Sequence, residues 1–361
     1  MNIFESRLWQ YGLFPLSLIY GGGIWLRNRL YDKKIIHSIA ITDCQIISVG
    51  NISLGGTGKT PVIRFLAQYL IEAGFRVAIL SRGYKRSRGG TIIVSDGRQL
   101  FSNADESGDE PFLLARQLPK VPVVVEANRA QGAKVIQQCF QPHFILLDDG
   151  FQHRRLHRDF DIVLIDASVG FASGMMLPAG PLREPVSSLS RADLIWLTRI
   201  DQAKDVDHLI QRIKRYTSCR IITSKHHATQ IVDAGTAQTH EPTIIRNQRV
   251  LLVSGIARPA SFEQTVRNLG GIVIDHQKFG DHHRFTHAEL EAILQQARRH
   301  HIDMILTTEK DFVRIMPYTR EIQRIFYLVI EIQITDDVTA LHEALAPLLN
   351  RARSISAEFT R

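Results

Sequence analysis

The chain has 361 residues, of which 44% are hydrophobic and 22% are charged, which excludes a disordered chain and a single small domain. Its three cysteines are widely separated, so they provide neither a disulfide framework nor a paired metal site, and a cytosolic protein is expected. The net charge of +8 favours an anionic partner, which could be nucleic acid, an acidic membrane surface or a phosphorylated substrate.

The first predicted element is the uncharged stretch from Leu8 to Leu26, which is followed by a cluster of basic residues. As a helix it is about 28 Å long, close to the thickness of bilayer hydrocarbon. Pro15 and the triple glycine at 21–23 weaken both its helicity and its hydrophobicity. We therefore expect residues 1–40 to form a helix or helical hairpin in the membrane interface, with a single span or a helix capping a soluble core as alternatives.

An apolar strand at 45–50, a glycine-rich loop at 53–60 and an amphipathic helix follow, and this order predicts a nucleotide-binding P-loop. Backbone N–H groups of such a loop surround the phosphates, its lysine reaches the β- and γ-phosphates, and its last hydroxyl binds Mg²⁺. Ser53 stands where the motif usually begins with glycine. The residues that would hold the nucleotide and the metal are Gly55, Gly56, Thr57, Gly58, Lys59 and Thr60.

Strands then alternate with helices up to residue 198, which predicts a parallel sheet covered by helices on both faces. We assign residues 41–220 to this P-loop domain. From 221 to 248 the pattern loosens and predicts a linker. A second alternation over 249–350 predicts a smaller α/β domain.

Two pairs of carboxylates are candidates for catalytic or metal-binding roles. Asp148 and Asp149 end an apolar strand, where open α/β sheets bind ligands, so they are expected to meet the Mg²⁺ of the P-loop. Asp109 and Glu110 begin a helix, where they either complement the helix dipole or provide a base for an attacking hydroxyl. Gln152 either touches the substrate or a positioned water, or only packs its loop.

Histidines and a basic loop complete the candidates. His282 and His283 follow Asp281, and a carboxylate can orient a histidine and make it more basic. A metal site that also uses His287 competes with this interpretation, but neither an HExxH pattern nor nearby cysteines favour it. The basic loop is either solvated or a clamp for phosphate, and its residues are Arg82, Lys85, Arg86 and Arg88.

Three classes of P-loop protein compete for these features. Partition-type ATPases carry a signature lysine where this chain has Leu54, so this class is disfavoured. GTPases read guanine with [NT]-K-x-D, and residues 198–201 read Thr-Arg-Ile-Asp, which keeps a membrane-associated GTPase switch or chaperone as an alternative. A small-molecule kinase fits the apolar N-terminal segment and the basic loop best.

Taken together, the motifs resemble the tetraacyldisaccharide 4′-kinases of lipid A synthesis. The matching segments occur in order over most of the chain: Gly50-Asn51, residues 55–61, 81–84 and 108–111, Asn128-Arg129, residues 148–153 and 177–184, Asp281-His282 and residues 308–311. The serine at position 53 is part of the family pattern. The resemblance implies an α/β kinase that uses ATP and Mg²⁺ to phosphorylate the 4′-hydroxyl of a tetraacylated glucosamine disaccharide 1-phosphate.

The resemblance also implies a place in the cell and a set of partners. The protein would attach peripherally to the cytoplasmic face of a Gram-negative inner membrane and bind an anionic glycolipid. We expect no nucleic-acid partner and a monomer.

Site roles are carried over by the same motifs. Asp109 would be the base and His282, chosen over His283, would tune it from the second domain, which therefore has to close over the cleft. Lys59 would act on the transferring phosphoryl group. Thr60, Asp148 and Asp149 would hold Mg²⁺; Glu110 would contact the substrate or support the metal; and phosphate or substrate would be contacted by Arg82, Arg129 and Gln152.

Overall fold

The computed structural model describes residues 7–318, 324–336 and 338–358. Residues 1–6 of the predicted N-terminal segment, and 319–323 and 337 of the predicted second domain, lie outside these ranges. The strands are β1 Gln45–Asn51, β2 Val77–Ser81, β3 Ile92–Asp96, β4 Pro122–Val125, β5 Phe144–Asp148, β6 Phe160–Asp166, β7 Leu194–Thr198, β8 Arg220–Asp233, β9 Thr239–His240, β10 Arg249–Ser254, β11 Ile272–Lys278, β12 Met304–Thr308 and β13 Ile325–Ile334.

Helices connect most of these strands, as expected of an α/β fold. They are α1 Arg7–Asp32, α2 Lys59–Glu72, α3 Ala104–Ser107, α4 Asp109–Gln117, α5 Arg129–Phe140, α6 Val206–Lys214, α7 Pro259–Asn268, α8 His287–Arg299, α9 Glu309–Ile315 and α10 Val338–Glu358.

All thirteen strands belong to one sheet, in the order β11-β10-β12-β13-β8-β7-β6-β1-β5-β2-β4-β3, with β9 paired to β8. The pairings are parallel except for β3–β4, β8–β13 and β8–β9. The predicted α/β class with a mostly parallel sheet is therefore confirmed. Strand β1 lies between β5 and β6, both parallel to it, so all three strands end at the same edge of the sheet.

Strand β8 joins the two halves of the sheet. Its first residues, 220–223, pair in parallel with β7, and residues 224–233 pair antiparallel with β13. The segment 221–248, expected to be a linker, thus contains all but the first residue of β8, the longest strand among the described residues. Its threonine, histidine and glutamine residues hide the strand pattern because only part of the strand is buried.

Alternating residues of the central strands pack into different cores, as the period of a strand requires. Ile47 and Val49 pack with α2, α4 and α10, whereas Ile46 packs with α5 in a second cluster. Helix α10 contributes Leu341 and Leu345 to the first cluster, so the C-terminal end of the chain packs against the P-loop half.

Helix α1 is a single helix that continues through Pro15 and the triple glycine, not a hairpin. Ser17 and Tyr20 attach it to the body, through hydrogen bonds to the carbonyls of Met176 (2.7 Å) and Arg183 (3.0 Å). Several of its apolar side chains face solvent, with exposures of 75% for Tyr11, 61% for Leu18, 73% for Ile19 and 64% for Trp25. Within the residues that the structure describes, no helix has the length and apolar character needed to cross a membrane.

The packing at the end of β1, where Gly50 lies against Phe151, can be tested by substitution. A Cβ on Gly50 would lie 2.7 Å from the Cβ and 2.8 Å from the backbone nitrogen of Phe151. We expect Gly50→Ala to lower the free energy of unfolding by about 1–3 kcal/mol, because the Phe151 backbone has to move. Urea unfolding measures this change. Gly89→Ala is the control: its Cβ meets open space, so equal losses in both variants would contradict the packing argument.

Candidate active site

The P-loop follows β1 and ends in α2, as the sequence predicts. Gly58 caps the helix with a φ of 85°, a conformation that glycine adopts without strain. Within the loop, the Asn51 side chain donates to the Thr57 hydroxyl (3.2 Å). The backbone nitrogen of Leu54 donates to the carbonyl of Pro181 (2.7 Å), so the 177–184 segment supports the loop from outside.

The end of β7 also holds the P-loop. Thr198 Oγ1 donates to the carbonyl of Thr57 (2.9 Å), and Arg199 Nη1 donates to the carbonyl of Gly56 (2.9 Å). The same Arg199 nitrogen lies 2.6 Å from Oδ2 of Asp166, which is buried at the end of β6. The segment that resembles a guanine-reading motif therefore contacts the loop itself.

Asp148 and Asp149 lie beside the loop at the end of β5. Asp149 contacts two cations: its Oδ1 is 3.4 Å from Lys59 Nζ, and its Oδ2 is 2.8 Å from Arg183 Nη1. Burial raises the pKa of Asp149, but Lys59 and Arg183 outweigh it and lower that pKa well below its usual range. This carboxylate is thus ionised at neutral pH.

Asp148 is in a different environment. Ser81 Oγ donates to its Oδ2 (2.8 Å), but burial and the carboxylates of Glu110 and Asp149 raise its pKa to about 6. A cation beside Asp148 would stabilise the ionised form of its carboxylate. Asp148, Asp149 and the hydroxyl of Thr60 therefore fit the hard oxygen ligands that Mg²⁺ prefers.

The protein's own side chains do not complete a metal site. Across the described residues no group of three His, Cys, Asp or Glu side chains is placed to hold a metal ion. A metal at Asp148 would therefore need further oxygen ligands, such as phosphate or water. The interpretation of His282, His283 and His287 as a metal site gains nothing from the structure.

Across the cleft, the second half brings His282 to Asp109. Nδ1 of His282 lies 2.9 Å from Oδ2 of Asp109, and Arg314 Nε lies 3.2 Å from the same oxygen. His283 is directed elsewhere: its ring stacks on Phe279, and its Nε2 contacts Glu289 (3.1 Å). The two histidines, which the sequence did not distinguish, thus have different partners.

Lys310, at the start of α9, lies next to this pair. Its Nζ is 2.9 Å from Glu110 Oε1 and 3.3 Å from Nε2 of His282. Burial raises the pKa of Glu110, but the charges of Lys310 and Lys59 outweigh it and lower that pKa to about 2. Sequence reasoning assigned no role to Lys310 or Arg314, although the 308–311 motif was a signal for the lysine.

A cavity of about 890 Å³ lies between the two halves. Most of the predicted site residues line it: Gly55, Gly56, Thr57, Gly58, Lys59, Thr60, Arg82, Glu110, Asp148, Asp149, Gln152 and His282. Gln152 also donates to the carbonyl of Asn51 (2.9 Å), so it is fixed against the end of β1.

Two predicted residues, Asp109 and Arg129, lie behind this lining. Asp109 is partly covered by His282 and Arg314. The guanidinium of Arg129 donates to the carbonyls of Glu126 (2.6 Å) and Asp148 (3.2 Å), and burial lowers its pKa to about 10. In this geometry Arg129 supports the backbone of Asp148.

This geometry agrees with comparisons against known proteins. The family model of the tetraacyldisaccharide-1-P 4′-kinases (LpxK) matches residues 9–350. The chain belongs to this family. The kinase family replaces the GTPase alternative that residues 198–201 had kept open.

Individual family members match over almost their full lengths. The tetraacyldisaccharide 4′-kinase of Anaeromyxobacter sp. (strain Fw109-5) is 39% identical over 349 residues, which are 95% of this chain and 94% of the relative. That of Chlorobium phaeovibrioides is 35% identical over 94% of this chain and 98% of its own. The crystal structure of LpxK from Aquifex aeolicus in complex with ATP is similar at 31% identity with a TM-score of 0.76, covering 94% of this chain and 99% of that one.

The Arg199–Asp166 pair gives a test of how the loop is held. We expect Arg199→Met to lower the free energy of unfolding by about 3 kcal/mol, because it leaves a buried carboxylate without its nearest cation. Arg258, 3.8 Å from Asp166, and Ser168 compensate only in part. Adding Asp166→Asn removes the unpaired charge, so the double variant should be more stable than Arg199→Met alone in urea unfolding. If the loss of stability in the double variant equalled the sum of the losses in Arg199→Met and Asp166→Asn, this coupling would be contradicted.

Proposed function

We propose that the protein is a kinase that transfers the γ-phosphate of ATP to the 4′-hydroxyl of a tetraacylated glucosamine disaccharide 1-phosphate in lipid A synthesis. Family membership over residues 9–350 supports the reaction. The observation that carries the chemistry is the 2.9 Å contact between Asp109 of the P-loop half and His282, which reaches it from the other side of the cleft.

The P-loop half would hold the nucleotide. The backbone N–H groups of residues 55–58 and the N-terminus of α2 provide the partial positive charge that phosphates need. Lys59, which lines the cavity, would compensate the charge that develops on the transferring phosphoryl group. Mg²⁺, held by Thr60, Asp148 and Asp149, supplies further charge neutralisation when bound.

Asp109 would accept the proton of the 4′-hydroxyl. Nδ1 of His282 lies 2.9 Å from Oδ2 of Asp109 and Arg314 places a positive charge 3.2 Å from the same oxygen, so the carboxylate is oriented towards the histidine. As the O–H bond breaks, the substrate oxygen forms its bond to the γ-phosphorus, and the bond to the β-phosphate oxygen breaks to release ADP. The low dielectric of the cleft strengthens each of these interactions.

The glycolipid would enter from the side of α1. Tyr20 and Ile24 of this helix line the same cavity as Lys59, and Leu177 lines it from the loop that α1 contacts. Acyl chains could follow this apolar wall to the exposed face of α1, which would lie in the cytoplasmic surface of the inner membrane. We assign the disaccharide and its phosphate to Arg82, Glu110 and Gln152, which line the cavity, whereas the buried Arg129 acts through the backbone of Asp148.

In this function the two halves of the chain have different roles. Residues 41–220 would bind ATP, residues 249–350 would close the cleft with His282 and Lys310, and one copy of the chain would suffice. The proposal includes no nucleic-acid partner.

Transfer of label from γ-labelled ATP to detergent-dispersed disaccharide 1-phosphate lipid tests the function. Label in the lipid is the expected result, with Lys59→Ala as the inactive control. Release of free phosphate without labelled lipid, preferentially from GTP, would overturn the proposal.

Substitution of the dyad tests its roles. We expect Asp109→Asn to lower kcat by about 10²–10⁴-fold, the contribution of a general base, with little change in the KM for ATP. His282→Asn should lower kcat less, and the double variant should be no worse than Asp109→Asn, because the two groups act as one unit. Steady-state kinetics at saturating lipid measures these values. A large loss of ATP affinity in Asp109→Asn would instead make Asp109 a nucleotide or metal ligand.

The exposed face of α1 gives a test of membrane attachment. Serine at Tyr11, Leu18, Ile19 and Trp25 removes apolar area without touching Ser17 or Tyr20, which hold the helix to the body. We expect this variant to move from the membrane to the soluble fraction and to show a higher KM for the lipid.

A matched control is serine at Leu100 and Phe101, which are exposed in the body of the protein. Unchanged partitioning of the α1 variant, or the same shift in the control, would remove α1 as the attachment site.

A further inference from the structure

The side chain of Lys310 occupies the position where the two halves meet. It is the second residue of α9, whose N-terminus is capped by Thr308 through a bond to the nitrogen of Asp311. From there Nζ reaches Glu110 of the P-loop half (2.9 Å) as well as His282 (3.3 Å) and Asp281 (3.6 Å) of its own half. Lys310 is therefore a direct neighbour of the proposed base pair.

The hydrogen-bonding chemistry of Lys310 restricts His282. An ammonium group has donors only, so the ring nitrogen that faces it has to accept. That nitrogen is Nε2, and a neutral imidazole that accepts at Nε2 carries its proton on Nδ1. Nδ1 faces Asp109 Oδ2 at 2.9 Å, where a donor is needed. The two neighbours of the ring thus select the same tautomer.

One neighbouring group competes with Lys310. Asp281 Oδ2 lies 3.9 Å from Nε2 of His282 and would favour a proton on that nitrogen. At 3.9 Å the pair is beyond hydrogen-bond distance, whereas 3.3 Å to Lys310 is not. With Lys310 removed, the carboxylate of Asp281 would be the remaining charged neighbour of Nε2, and it would favour a proton on that side of the ring.

Lys310 keeps its charge in this position. Burial lowers its pKa, but Glu110 and Asp281 outweigh burial and raise that pKa, so the ammonium donor is present at neutral pH. Tyr84 covers another side of the His282 ring, with 5.2 Å between ring centroids, and limits its rotation.

We propose that Lys310 is a positioning residue that holds His282 as the Nδ1–H tautomer and so leaves Asp109 as the proton acceptor. This inference rests on the proposed kinase function. Because the Nε2 lone pair is directed at Lys310, it is not available for the substrate proton. If the tautomer changed, Nδ1 would present a lone pair to the Asp109 carboxylate, and Asp109 would lose the donor that orients it.

The test reads the tautomer directly, without turnover. Full-length protein labelled with ¹⁵N-histidine and kept in detergent gives long-range ¹H–¹⁵N correlations whose pattern differs between the two tautomers, and His282→Asn assigns the signals by their loss. We expect the Nδ1–H pattern in the unsubstituted protein and in Lys310→Arg, which keeps a donor. Lys310→Met should convert part or all of His282 to the Nε2–H form.

Kinetics on the same variants tests the consequence. We expect Lys310→Met to lower kcat by about 10²-fold, the low end of a general-base contribution, while the KM for ATP is unchanged and Lys310→Arg restores most of the rate. Glu110→Gln is the matched control: it removes the counter-charge of Lys310 but keeps the donor, so the tautomer should persist whatever happens to the rate.

Three results would overturn the proposal. One is an Nε2–H pattern in the unsubstituted protein, which requires no variant to fold. Another is an unchanged tautomer in Lys310→Met, because any loss of rate would then come from another contact. The third is a changed tautomer with full kcat. If labelled lipid never forms in the unsubstituted protein, the kinase function fails instead, and the tautomer pattern still reports on the Lys310 contact.

Discussion

The geometry of the site depends on one strand that is hydrogen-bonded on both sides. β8 pairs with β7 of the P-loop half and with β13 of the other half, so the two halves share a continuous sheet. This pairing holds the two halves next to each other, and Asp109 and His282, which are far apart in sequence, meet at 2.9 Å. If the two halves were separate sheets joined by a flexible segment, the chain would lose conformational entropy each time the halves came together to form that contact.

Charge pairing is the second organising constraint. Four cations at or beside the cleft lie close to carboxylates: Lys59 and Arg183 lie next to Asp149, Lys310 next to Glu110, and Arg314 next to Asp109. Buried charges are tolerated because each has a partner. Asp148 differs from these carboxylates, because burial and the charges of Glu110 and Asp149 raise its pKa to about 6.

Local patterns predicted the elements that local physics controls. The strand, glycine loop and helix at 45–73 were predicted because backbone conformation there depends on the glycines themselves, and Asp148 and Asp149 because strand ends carry ligands. The strand character of β8 was missed because its polar side chains lie on a strand that is only partly buried. Lys310 and Arg314 were missed because charged residues in the first or last turn of a helix are indistinguishable in sequence from a solvated helix face.

By itself, the sequence determined the α/β class, the P-loop, the family and the pool of candidate residues, since these depend on short-range spacing and on motifs in order along the chain. The tertiary structure alone decided which histidine meets Asp109, that Arg129 supports the backbone of Asp148, and that Lys310 faces Nε2 of His282. These are contacts between residues distant in sequence, and they depend on strand order and on distances of a few ångströms, which no spacing along the chain encodes.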